Sequence, residues 1–65
     1  MTKKASEYTV GEKFIDPHRT GRRPAQVMEI LQASREDIAL FRLHDDHGWG
    51  YWVTSYGADE ELEMA

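Results

Sequence analysis

The sequence predicts a small, mainly β fold built from antiparallel strands in one domain. Three observations predict it. The chain reads as four short β-favouring runs, Tyr8–Ile15, Ala25–Leu31, Ile38–Leu43 and Trp49–Thr54. Clusters of Gly, Pro, Asp and Ser separate those runs, with turns about every 8–12 residues. The run Trp49-Gly50-Tyr51-Trp52-Val53-Thr54 is strongly β-favouring and needs sheet partners, since two strands alone make a marginal ribbon.

In chain order, residues 1–7 are polar and read as a flexible N-terminus. Tyr8 to Ile15 reads as the first strand, with Tyr8, Val10 and Phe14 on one face and Gly11 as a bulge or kink. Asp16-Pro17 ends it, because proline offers no ladder donor and holds its predecessor extended. A loop from Pro17 to Pro24 turns at Gly21. Ala25–Leu31 and Ile38–Leu43 then form a hairpin about the polar segment 32–37, with Ala39, Phe41 and Leu43 lining one face.

The alternative for this middle region is an α+β fold with a helix over about residues 24–46. Pro24 suits a first helical position, and Val27, Leu31, Ser34, Ile38 and Phe41 recur at helical steps. Strands are favoured because such a helix leaves the Trp-rich strand with a single partner. His44-Asp45-Asp46-His47-Gly48 is good turn composition and leads into that last strand. Residues 57–65 then read as an acidic C-terminal tail, solvated or docked through Leu62 or Met64.

An early Val10-Gly11-Glu12-Lys13-Phe14, a long polar loop and three hairpin-linked strands resemble the SH3-like small barrels, including the KOW and Tudor types. The resemblance spans about residues 8–56 and rests on pattern. It implies an antiparallel barrel of four to five short strands. The acidic cluster and paired aromatics of peptide-binding SH3 domains have no counterpart here.

Composition narrows the function. The chain has 65 residues, with 12 acidic and 8 basic side chains, and no cysteine. That leaves no room for a cleft between two lobes, and it excludes disulfides and Cys-ligated zinc. No run approaches the ~18 apolar residues of a membrane span, and the polar start lacks the apolar centre of a signal peptide. No membrane association and a cytoplasmic location are therefore expected. The net charge of −4 is unevenly placed. Residues 1–56 are neutral, while Asp59, Glu60, Glu61 and Glu63 carry the whole excess.

The candidate partner-binding residues are Arg19, Arg22 and Arg23 in the loop and Trp49, Tyr51 and Trp52 in the last strand. Arginine forks suit carboxylates and phosphates, and exposed Trp and Tyr are typical interface anchors. The expected function is a non-enzymatic protein-interaction module, a regulator or inhibitor, meeting another protein or a second copy of itself. The alternative is a nucleic-acid-binding β-barrel that tracks phosphates with the Arg loop and stacks bases on the Trp/Tyr strand. Neither a nucleophile setting nor a Gly-rich phosphate loop is recognisable, so no enzyme activity is expected. His44 and His47 flank two aspartates and suggest a metal or pH-sensing site. Ordinary turn composition accounts for them, so no metal and no cofactor is expected.

Overall fold

The computed structural model describes residues 1–19, 21, 23–45 and 50–65. Six strands form one antiparallel sheet: β1 (Thr2–Lys4), β2 (Lys13–Ile15), β3 (Pro24–Leu31), β4 (Ile38–Asp45), β5 (Tyr51–Gly57) and β6 (Glu61–Met64). Their spatial order is β1-β6-β2-β3-β4-β5. Among the described residues no ladder joins β5 back to β1, so the curled sheet is open rather than closed by hydrogen bonds. No helix among these residues is long and apolar enough to cross a membrane.

The mainly β, antiparallel class is the one the sequence predicts. The helix alternative over about 24–46 is replaced by β3 and β4, and a period of two explains why. Ala25, Val27, Phe41 and Leu43 are buried, while the intervening residues turn outward or stay half-buried. The helical stripe would also have required Ser34, which lies exposed in the connection. Register shifts once, between Val27 and Glu29, where Met28 is the extra residue. This bulge sets Glu29 opposite Arg42 and Ile30 opposite Phe41.

The chain ends depart from the sequence expectation. Residues 1–7 hold β1 and a 3-10 turn over Ala5–Glu7, and the acidic segment 57–65 holds β6, which lies inside the sheet between β1 and β2. Charge density masked this strand. Its acids can stay outward or at the rim while Leu62 alone points in and is buried. β1 supplies a positive charge and a hydroxyl: Lys4 lies opposite Glu61, and Thr2, opposite Glu63, donates its hydroxyl to Glu61 Oε1 at 3.0 Å. Tyr8 donates its hydroxyl to the Leu62 carbonyl at 3.0 Å, and Ala5 N–H donates to the Glu60 carbonyl at 2.8 Å.

The first expected strand is also shorter than Tyr8–Ile15. Residues 9–12 make a turn, because the Glu12 carboxylate accepts the Thr9 N–H at 2.8 Å and the Thr9 hydroxyl at 2.9 Å. Gly11 has φ 95°, outside strand geometry, and Val10 is consequently exposed. The core is aromatic. Phe14 sits at its centre, with ring centroids 5.0 Å from Tyr8, 5.6 Å from Tyr56 and 6.1 Å from Phe41.

Candidate functional site

Two buried aspartates organise the end of the sheet that carries the predicted binding residues. The first is Asp16, just past β2 and only 1 % exposed. Oδ1 accepts the Tyr56 hydroxyl at 2.7 Å and the His18 backbone N–H at 2.9 Å. Oδ2 accepts the Trp52 Nε1–H at 3.2 Å. Pro17 holds Asp16 extended, and the Arg19 N–H donates to the Asp16 carbonyl at 3.2 Å. His18 stacks on Tyr56, with centroids 4.9 Å apart, and its Nδ1 lies 3.1 Å from the Thr54 hydroxyl. Burial, reinforced by the hydrogen bond to Asp16, pushes the Tyr56 hydroxyl well above the usual phenol range.

The second is Asp45, at the end of β4 and 3 % exposed. Arg19 Nη2 donates to its Oδ2 at 3.1 Å, and Arg23 Nη2 to its Oδ1 at 3.4 Å. Arg19 is further held by Trp52: its guanidinium carbon lies 4.3 Å from the indole centroid, a cation–π contact. Arg19 Nη1 is buried with no hydrogen-bond partner among the described residues. The structure thus clamps Arg19 in place and leaves Arg23 the more exposed of the two, with 44 % of its side chain accessible against 30 %.

These contacts gather predicted residues that are distant in sequence. Arg19, Arg23, Tyr51 and Trp52, together with Asp45 and Gly50, line one open cleft of ≈ 290 Å³. Tyr51 is 71 % exposed beside it. Arg22 and Trp49, the other two candidates, lie outside the described residues. Trp52 differs from the expected anchor. It is half-buried, packed against the hydrophobic core and overlaid by Arg19. Alternation along β5 turns Trp52 and Tyr56 inward and Tyr51 and Val53 outward.

Asp16 and Asp45 are the residues that sequence reasoning missed as site builders. In the sequence Asp16-Pro17 reads as a strand stop, and Asp45 as turn composition or a candidate metal ligand beside His44 and His47. Each precedes or follows a run with alternating apolar residues, and that placement was the available signal. His44 lies on β4, with Nε2 at 2.6 Å from Gln26 Oε1 on the neighbouring β3. His47 lies outside the described residues. Among the described residues no three His, Asp or Glu side chains gather as metal ligands. A larger open depression of ≈ 410 Å³ also has Arg19 in its lining, together with Asp16, Glu60, Glu61 and Glu63.

Among the described residues the corner presents an exposed aromatic ring, Tyr51, and the more accessible guanidinium of Arg23. It offers little for acid–base chemistry, since both buried carboxylates are held by fixed donors. No protein-family model and no curated protein matches the chain.

Proposed function

We propose that the chain is a small, non-enzymatic protein-interaction module, a regulator or inhibitor acting in the cytoplasm, whose contact surface is the Arg19–Arg23–Tyr51–Trp52 corner. One observation carries this reading. Tyr51 stands exposed beside a cleft lined by two arginines that a buried carboxylate and an indole hold in position. An exposed aromatic next to a preorganised arginine is the composition of an interface centre, and the fixed geometry lowers the entropy lost on binding.

The nucleic-acid alternative draws on the same residues, with Tyr51 as a stacking platform. The net charge of −4 weighs against it, because the phosphate backbone favours a cationic partner. Affinity purification from the protein's own cell tests the main reading, comparing the wild type with Tyr51→Ala and Arg23→Glu. A captured protein lost from both variants, with unchanged far-UV circular dichroism, supports the corner. Equal capture by all three refutes it. Filter binding to short DNA and RNA tests the alternative, which requires an affinity that falls steeply with salt.

A further inference from the structure

β5 is one edge of the sheet: among the described residues its only ladder partner is β4. Alternate residues of an edge strand turn their N–H and C=O groups away from the sheet, a template for another strand. Natural edges are shortened, charged, bulged or interrupted by proline to prevent that. The opposite edge obeys the rule, since β1 has three residues and two of them are lysines. β5 does not. It runs for seven residues, Tyr-Trp-Val-Thr-Ser-Tyr-Gly, without a charge or a proline. Its register with β4 is unbroken from Ile38↔Gly57 to His44↔Tyr51. The loop after β2 reaches it through side chains, His18 to Thr54 and Asp16 to Trp52 and Tyr56. Among the described residues no backbone hydrogen bond from that loop reaches β5.

We infer that β5 is a self-pairing edge, by which two copies of the chain join antiparallel about a two-fold axis through Thr54. This inference rests on the reading of the corner as a protein contact and names the partner. An antiparallel pairing of identical edges is two-fold symmetric by construction, so it closes as a dimer. That axis sets Val53 opposite Ser55 of the second copy and Thr54 opposite itself, and it brings Tyr51 opposite Gly57, whose own N–H and C=O are bonded to Glu60 Oε1 at 3.3 Å and to the Glu60 N–H at 3.0 Å, so the ladder runs through Tyr51, Val53 and Ser55. The Tyr51 ring then lies across from a residue with no side chain, which leaves room for it. Val53, 53 % exposed in the single chain, gains a cross-strand neighbour.

Charge selects a second copy over an unrelated peptide. Beyond Gly57 the chain turns through Asp59 and Glu60, both exposed; Asp59 lies 3.6 Å from the Lys4 ammonium in a solvent-exposed pair, and Glu60 Oε1 accepts the Gly57 N–H. The same register carries that turn to the Gly50 end of the other copy's β5, where Arg19 and Arg23 line the cleft. The acidic turn meets the arginine corner twice, once on each side of the axis, and no like charges face each other along the strands. One chain therefore carries both halves of the complementarity.

Sedimentation equilibrium on the full chain tests this, over about 10 µM to 1 mM, the range of a weak to moderate interface. The wild type is expected to approach twice the mass of one chain. Val53→Glu places a charge on the edge, diagonal to its own copy across the axis, and faces Arg42 within the same sheet. It should raise the dimer Kd about tenfold or more without loss of the β-type circular dichroism. Arg23→Glu should weaken the dimer, and Arg23→Glu combined with Asp59→Lys should restore it. A wild type that stays monomeric throughout overturns the inference, as does a dimer indifferent to Val53→Glu. A monomeric wild type whose capture of another protein is still abolished by Arg23→Glu overturns the second copy alone and leaves the corner reading standing. A monomer whose capture ignores Arg23→Glu removes both.

Discussion

Replacing Asp16 with alanine should cost this small domain much of its stability. The carboxylate is 1 % exposed and serves three donors: the Tyr56 hydroxyl, the Trp52 indole N–H and the His18 backbone N–H. Its removal strands them unequally. Tyr56 is buried, so its hydroxyl loses its acceptor with no water to replace it, at about 1–3 kcal/mol. Trp52 is half-buried and His18 exposed, so their N–H groups are partly re-solvated and add roughly 1 kcal/mol together. The sum is about 2–4 kcal/mol. A 65-residue domain holds only ~3–10 kcal/mol in all. The melting midpoint should therefore fall by roughly 10–25 °C. Asp16→Asn keeps one acceptor oxygen but presents an NH2 group to the Trp52 donor, and should cost about 1–2 kcal/mol. Thermal and urea unfolding followed by far-UV circular dichroism measure both. Tyr56→Phe removes the main orphan, so the Asp16→Ala/Tyr56→Phe double variant should be less destabilised than the sum of its parts by ~1 kcal/mol or more. An Asp16→Ala midpoint within about 0.5 kcal/mol of wild type, or strict additivity in the cycle, refutes this account of the network.

Three other outcomes are expected. Asp45→Ala leaves Arg19 and Arg23 without the buried carboxylate that they share, and should cost about 1–3 kcal/mol in urea unfolding, less than a fully buried pair because both guanidinium side chains remain partly exposed. Gly11→Ala puts a Cβ into open space at φ 95°, so its cost is purely one of backbone conformation, about 1 kcal/mol, measurable in the same assay. Glu12 is held down to about 2 from its ordinary value of 4.5 by hydrogen bonds from the Lys3 ammonium and from the Thr9 N–H and hydroxyl. A carboxyl with a lowered folded pKa stabilises the fold above its unfolded pKa and loses that contribution as protons bind. Stability should thus decline between about pH 4.5 and pH 2, and Glu12→Gln should flatten that limb of the urea-midpoint profile.

Alternation made the middle of the fold legible. Ala39, Phe41 and Leu43 share a face in the sequence pattern, and β4 buries Phe41 and Leu43 while Ala39 packs against the same core. β6 was illegible because three of its four residues are Glu or Met around a single Leu62, so composition resembled a solvated tail. Only its tertiary partners, basic β1 and β2, show why it pairs. The Tyr8–Ile15 segment misled for a different reason: side-chain hydrogen bonds from Thr9 to Glu12 competed with the ladder and won. At the site, residue types identified Arg19, Arg23, Tyr51 and Trp52, and the fold brings them around one cleft. What the sequence hid was the division of labour. Trp52 and Arg19 brace each other, and Tyr51 and Arg23 are the more exposed pair.

The most direct test of the contact surface is a concentration series of amide NMR spectra on the full wild-type chain, read residue by residue. Self-pairing predicts shifts and growing amide protection confined to Tyr51–Gly57, the Arg19–Arg23 loop and the Asp59–Glu60 turn. Shifts centred elsewhere, such as on β1 and β6, or spectra that do not change with concentration, contradict it.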